Sequence, residues 1–394
     1  MTVDLPWVII TSVFGFAVTG LATPVMKDCA VRWRVLAVPG GRRNHHGPTP
    51  LLGGVAIFLP FAIVFTLLFI LFLLDEVQFS RPSTLQMLSL FLASGWITFL
   101  GALDDKLRLN WKKKLAGQLF AIGILVIGGH RINVASIPFW TTVDFGWLGI
   151  PLFVVVVLVV VNAINIIDGV DGLAGGICFF AAATCATICF WTGDIFGALI
   201  GACVAGSLLA FLFFNFPPAS IYLGDGGSLF LGLLLGTLAA SSAAAYPGQR
   251  PSTLVMVVVP FVPFTAAFLD VVLAIVRRSL SGRKIFTPDS DHLHHRLLEK
   301  FKSPKKVIAI FYAFSAVLCV LTINVFVTPH SDIATWSWLL FGLILVGVTT
   351  AILKMYRVGE FKRTIENRPH FQFISSYKSF MSAKIRTINS LEEL

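Results

Sequence analysis

The sequence predicts an all-α polytopic membrane protein with about 11 transmembrane helices, its N-terminus outside and its C-terminus in the cytoplasm. Three observations predict it. Apolar residues fill 56% of the 394 positions and charged residues only 13%, against roughly 25% charged in an ordinary soluble domain. The apolar residues come in runs of about 20, the length a helix needs to cross the hydrocarbon core. The basic residues gather between alternate pairs of runs. A net charge of +10 would suggest nucleic acid in a soluble protein. In a membrane protein the placement of that charge matters more than its sum, and no nucleic-acid partner is expected.

The spans fall at 6–25, 51–74, 85–103, 115–134, 148–167, 173–191, 194–214, 226–246, 252–276, 305–327 and 334–354. The first lacks a basic leader and a small-residue cleavage site, so it reads as a span rather than a cleaved signal. The second is entered through the basic, turn-rich RRNHHGPTPLLGG, and the third ends on Asp104 and Asp105. The fourth is the weakest, being polar at one end and holding Gly128 and Gly129 before His130. The fifth is valine-rich until Asn162 and Asn165 interrupt it, and the sixth follows the glycines of DGVDG. The eighth follows GDGG, the ninth precedes a polar loop at 277–304, and the eleventh precedes the tail.

With the N-terminus outside, 27 of the 30 Lys and Arg fall on the inner side, leaving only Arg81, Arg131 and Arg250 outside. Losing one span would scramble that asymmetry. The chain therefore reads as a single transmembrane domain, 1–354, with cytoplasmic loops at 26–50, 104–114, 168–172, 215–225 and 277–304, followed by a basic cytoplasmic tail, 355–394. The tail's Phe361, Phe371, Phe373, Tyr377 and Phe380 suit contact with anionic membrane lipid, or a partly disordered extension. The six cysteines lie mostly in apolar runs without CxxC spacing and read as small core residues.

Ionisable groups at membrane helices are costly and usually functional. Asp104 and Asp105, in GALDDKLRLNWKKK, are adjacent carboxylates that repel unless a cation or proton lies between them. That suits a magnesium-phosphate site or a general base; a solvated loop paired with its own lysines is the plainer alternative. In NAINIIDGVDGLAGG, residues 162–176, the spacing of three carries Asn162, Asn165, Asp168 and Asp171 along one side of a continuing helix. Helix capping would rarely need four such groups. Asp225 lies between glycines in NFPPASIYLGDGGSLFLG, where it can coordinate Mg²⁺ beside a closely approaching phosphate, or simply cap the eighth span. In PDSDHLHHRLL, His292, His294, His295 and Arg296 can bind a phosphate or pyrophosphate. Zinc on His292 and His295 ranks lower, because no thiol accompanies them and the nearby Asp residues suit a harder metal. By charge parity all these groups, with the RRNHH segment, share one membrane surface. They would serve a water-soluble phosphorylated donor and a lipid acceptor.

The ordered set DD, NAxNxxDGxDGLA, GDxGSLxLG and HxHH, over residues 38–298, resembles the polyprenyl-phosphate N-acetylhexosamine-1-phosphate transferases. HLHHRLL and PTPLLGG are more similar to the WecA/TagO-like branch than to the peptidoglycan translocase. The resemblance implies transfer of an N-acetylhexosamine-1-phosphate, GlcNAc-1-phosphate first, from a UDP-sugar donor to undecaprenyl phosphate, with another UDP-N-acetylhexosamine or UDP-MurNAc-pentapeptide as the alternative donor, Mg²⁺ as cofactor, Mn²⁺ as a substitute, and release of UMP. By the same resemblance Asp225 and Asn165 would serve the metal, and Asp104, Asp105 and Lys114 the catalytic step on the lipid phosphate. Asn162, Asp168, Asp171, His292, His294, His295 and Arg296 would bind the donor. One departure is Ala37, where the branch often carries an acidic residue. The expected setting is the cytoplasmic face of a bacterial inner membrane; a homodimer is compatible with it, though no motif requires one. A cation-coupled transporter is the rival from another class. It would place polar groups at mid-membrane depth and show a repeat between halves.

Overall fold

A bilayer core offers no water to satisfy backbone groups, so a crossing segment must close its own hydrogen bonds. A computed structural model describes residues 5–37, 48–77, 79, 82–132, 134–136, 142–242, 297–298 and 301–327, with 336–337, 339–344, 346–347 and 350. Its main elements are helical: α1 Leu5–Arg32, α2 Gly53–Leu73, α3 Thr84–Leu107, α4 Trp111–Ile127, α5 Gly149–Ile167, α6 Leu173–Trp191, α7 Ile195–Asn215, α8 Gly224–Ser242 and α9 Pro304–Val327. Two short antiparallel pairs join them, β1 Leu36–Ala37 with β2 Thr49–Pro50, and β3 Val134–Ser136 with β4 Thr142–Asp144.

Among the described residues, seven helical segments are long and apolar enough to cross a membrane: α1, α2, α3, Gly146–Ile167, α6, α7 and Pro304–Asn324. The apolar part of α8, Gly224–Ala240, is shorter. The expected span at 252–276 lies outside the described residues, as does much of the one at 334–354. The expected fourth span, 115–134, is displaced: α4 starts at Trp111 and stops at Ile127. Gly129, at φ +93°, turns the chain there, and Val134–Ser136 pairs with β4 instead of extending the helix. Helix α1 runs past the expected 6–25 to Arg32, because hydropathy marks apolar length and not where backbone bonding ends.

Local signals fix the α3–α4 hairpin. Ser83 and Gln86 form a reciprocal capping box at the start of α3, with Gln86 N–H donating to Ser83 Oγ at 3.3 Å and Ser83 N–H to Gln86 Oε1 at 2.9 Å. At its other end Arg108 adopts φ +50°, and the Asn110 side chain caps α4 by accepting from Lys112 N–H. Ser83→Ala should cost about 1 kcal/mol, read as a lower thermal midpoint of the detergent-solubilised protein.

Helix α8 is the hub. It packs against α3 and α5, and also against α2 and α6. Leu229, Phe230, Leu231, Leu233, Leu234 and Leu235 are fully buried on every side of it, as expected of a helix apolar all round. Around it α1 lies along α7, α6 on α7, and α9 on α6. Close approach needs small residues, since lipid tails supply no hydrophobic drive between helices. Gly101 of α3 is the case that bears on the site, because a Cβ there would run into the backbone of Asp225. The contact brings the C-terminal end of α3 onto the N-terminal end of α8, where the candidate groups lie.

Candidate active site

Four helix ends meet around one ammonium group. Lys114, in the first turn of α4, points its Nζ at Asp225 Oδ2 (2.6 Å) on α8, Asp104 Oδ2 (2.9 Å) on α3 and Asn165 Oδ1 (3.1 Å) on α5. The capped hairpin lets α3 and α4 face each other, so Asp104 and Lys114 reach the same point. Asn165 also donates through Nδ2 to Asp225 Oδ1 (2.6 Å) and to Ser228 Oγ (2.9 Å). Asp104 Oδ1 accepts from the Leu109 N–H at 2.7 Å, tying the hairpin turn to the site. Burial works against the charge on Lys114, but Asp225 and Asp104 outweigh it and hold its pKa above the ordinary lysine value.

Asp105 differs from its neighbour. Its two oxygens accept from the backbone N–H groups of Asp225 (2.9 Å) and Gly226 (3.2 Å), so it satisfies orphan donors at the start of α8. Gly224 makes this possible: it sits at φ +71°, and a Cβ there would strike Leu51 O and the Asp105 carboxylate. The glycines of GDGG thus serve helix approach and a tight entry, with the first N–H groups of α8 already taken by Asp105.

Asn162 lies one turn deeper on α5 and pairs with Gln118 of α4, each side chain donating to the other at 3.1 and 3.4 Å. Asp168 closes α5, and Asp171 Oδ2 accepts from the Ala219 N–H at 3.0 Å. The structure therefore brings Asp104, Asp105, Lys114, Asn165 and Asp225 together, with Asn162 below them and Asp168 and Asp171 on the adjoining turn. His292, His294, His295 and Arg296, the RRNHH segment and the tail lie outside the described residues. Sequence reasoning left Gln118, Ser228 and Asn215 unassigned. A polar residue within an apolar helix, as Gln118 is, was the available signal.

The oxygens test the metal. Among the described residues no three His, Cys, Asp or Glu side chains form a ligand set. Around Lys114 Nζ, though, two carboxylates and one amide converge, and Mg²⁺ commonly takes one or two carboxylates and completes its shell with substrate phosphates and water. Two carboxylates, Asp104 and Asp225, share one ammonium, which leaves a negative charge that a divalent cation would balance. Hard oxygen donors without sulfur suit Mg²⁺ or Mn²⁺.

The family model described as glycosyl transferase family 4 matches residues 87–243, which carry every one of these groups. A Mycobacterium tuberculosis protein named decaprenyl-phosphate N-acetylglucosaminephosphotransferase is 33% identical over 370 residues, covering 87% of this chain and 88% of its own. The chain belongs to glycosyl transferase family 4. Within the family, a Bacillus subtilis protein named probable undecaprenyl-phosphate N-acetylglucosaminyl 1-phosphate transferase is 30% identical over 293 residues, 74% of this chain and 77% of its own. A phospho-N-acetylmuramoyl-pentapeptide-transferase of Halalkalibacterium halodurans is 28% identical over 335 residues, 80% and 96% of the two chains. The transporter alternative loses its support. The polar groups of this family 4 chain gather at helix ends instead of mid-membrane, and these relatives are named as transferases.

Proposed function

We propose that this chain transfers GlcNAc-1-phosphate from UDP-GlcNAc to a polyprenyl phosphate, with undecaprenyl phosphate as the acceptor and UMP as the leaving group, at the cytoplasmic face of a bacterial inner membrane. The observation that carries it is the convergence of Asp104, Asn165 and Asp225 on Lys114, in a chain whose relatives are named for transfer onto undecaprenyl or decaprenyl phosphate.

In the proposed reaction an oxygen of the lipid phosphate attacks the donor's β-phosphorus. A new P–O bond forms there, the bond to the bridging oxygen breaks, and UMP leaves with the electron pair. Phosphoryl transfer of this kind depends mainly on positioning and charge neutralisation. Lys114 supplies the cation that draws in and neutralises the acceptor phosphate. Asp104, held on Lys114 Nζ and on the Leu109 N–H, orients that phosphate or takes its proton. Asp105 keeps the first turn of α8, and so Asp225, in place. Asp168 and Asp171 face the donor's nucleoside and sugar. The proposed Mg²⁺, for which Mn²⁺ would substitute, would be held by Asp225 with Asn165 beside it and would neutralise the donor diphosphate.

The test is transfer of label from UDP-[¹⁴C]GlcNAc to undecaprenyl phosphate by the purified protein. A labelled lipid should form, EDTA should stop its formation, and added Mg²⁺ or Mn²⁺ should restore it. A parallel panel of UDP-N-acetylhexosamines reads the sugar preference. No labelled lipid from any of them would overturn the reading.

A further inference from the structure

We propose that Tyr312 is a positioning residue for the donor: from α9, it fixes the 168–172 turn that carries Asp168 and Asp171. The proposal rests on the transferase reading above and extends the site to a residue well beyond the 87–243 region that defines the family match.

The turn ends on Gly172, at φ +74°, and both backbone polar groups of that residue are held from outside the turn. Its N–H donates to the Asn215 Oδ1 at 2.9 Å, and Asn215 Nδ2 in turn donates to Ile221 O at 2.9 Å. Its carbonyl accepts from the Tyr312 hydroxyl at 2.6 Å. One residue earlier, the Asp171 carboxylate is held by the Ala219 N–H. The turn is thus clasped from α7, from the segment entering α8, and from α9.

The hydroxyl is the informative part of Tyr312. The Gly172 carbonyl already accepts the Gly176 N–H at 3.0 Å, the first hydrogen bond of α6. The helix start therefore has its partner without the tyrosine, and the second bond adds direction. The ring fills space that Gly176 leaves open, since a Cβ there would collide with it, and it meets Phe180 edge to face at 5.8 Å. Phenylalanine would keep all of that packing and lose only the bond to the turn. A group serving packing alone would not need its hydroxyl aimed at this carbonyl.

The experiment uses the full-length protein in detergent or nanodiscs, with KM for UDP-GlcNAc, KM for undecaprenyl phosphate, kcat and thermal midpoint measured for wild type, Tyr312→Phe and Gly176→Ala. Tyr312→Phe is expected to raise the donor KM about fivefold, the equivalent of one neutral hydrogen bond, with acceptor KM and thermal midpoint unchanged. Gly176→Ala, whose Cβ would push the ring and its hydroxyl off the Gly172 carbonyl, should raise the donor KM by a comparable factor while also lowering the thermal midpoint through overpacking. A donor KM in Tyr312→Phe within about twofold of wild type would overturn the proposal, the error of such a comparison being well below one hydrogen bond. So would a parallel loss in both KM values, kcat and thermal midpoint in Tyr312→Phe, the mark of a purely structural role. An inactive wild type would instead count against the transferase reading itself, which separates the two failures.

Discussion

Asp225→Asn is expected to lower transfer by about 10²–10³-fold, the usual effect of removing one group that stabilises developing charge, while the thermal midpoint stays near that of wild type. The two halves of the expectation have separate causes. Asn keeps the shape of Asp225 and an oxygen for Lys114, so the 2.6 Å contact has a neutral replacement, and the Asn165 amide that loses Oδ1 as its acceptor keeps the Ser228 hydroxyl. It also removes one of the two carboxylates that share a single ammonium, which relieves repulsion and offsets the weakened ion pair. Catalysis has no such compensation, because the lost charge is the one proposed to hold the divalent cation. Asp105→Asn should behave in the opposite way. Its carboxylate accepts two backbone N–H groups at the start of α8, and an amide can turn only one acceptor toward them. Activity and thermal midpoint should then fall together. Radiolabel transfer alongside thermal unfolding separates the cases, and a large drop in stability for Asp225→Asn would sink the assignment.

Gly101→Val is the second large effect, and it acts on assembly. The position where its Cβ would sit is occupied by the Asp225 backbone, so relief requires α3 and α8 to separate. Overpacking of this sort typically costs about 1–3 kcal/mol, and the upper end applies where the obstacle is a backbone. Separation would also carry Asp104 and Asp105 away from Asp225 and Lys114. The variant should be recovered in low yield, with a depressed thermal midpoint and no transfer. Gly123→Val serves as the control, because nothing lies within 4 Å of a Cβ at Gly123. Normal yield and activity in Gly101→Val would show that the approach of α3 to α8 is not needed.

Much of this was legible in the sequence because membranes impose simple rules. Apolar length located α2, α3, α5, α6 and α7 to within a few residues of their observed limits. Charge parity put the DD, NAINIID and GDGG groups on one surface, and the structure gathers Asp104, Asn165 and Asp225 at one end of the bundle. What hydropathy could not register is how partners are chosen across the chain. Lys114 reads as one of three consecutive lysines, and only the α3–α4 hairpin turns it, and not Lys112 or Lys113, toward Asp225. Asp104 and Asp105 look equivalent as neighbours, yet on a helix adjacent side chains point about 100° apart. One therefore meets Lys114 and the other the backbone of α8. The early end of α4 was not placed because, although Gly128, Gly129 and the polar residues after them marked the span as weak, the turn that Gly129 makes at φ +93° is a backbone choice that hydropathy does not register.

The paired amides of Asn162 and Gln118 have a further consequence. They are neutral, mutually satisfied, and one helical turn beneath the ionic cluster, with Val157, Val160 and Val161 fully buried below them. They mark a boundary within the protein: above it lie the fixed charges of Asp104, Lys114 and Asp225, and below it the buried side chains of α5 are apolar. A sugar nucleotide, highly charged and hydrated, has nothing to exchange its water for beneath that line. An isoprenoid acceptor has the opposite preference for most of its length. In the proposed reaction the two would then meet above the amides, with the lipid raising its head group to the donor.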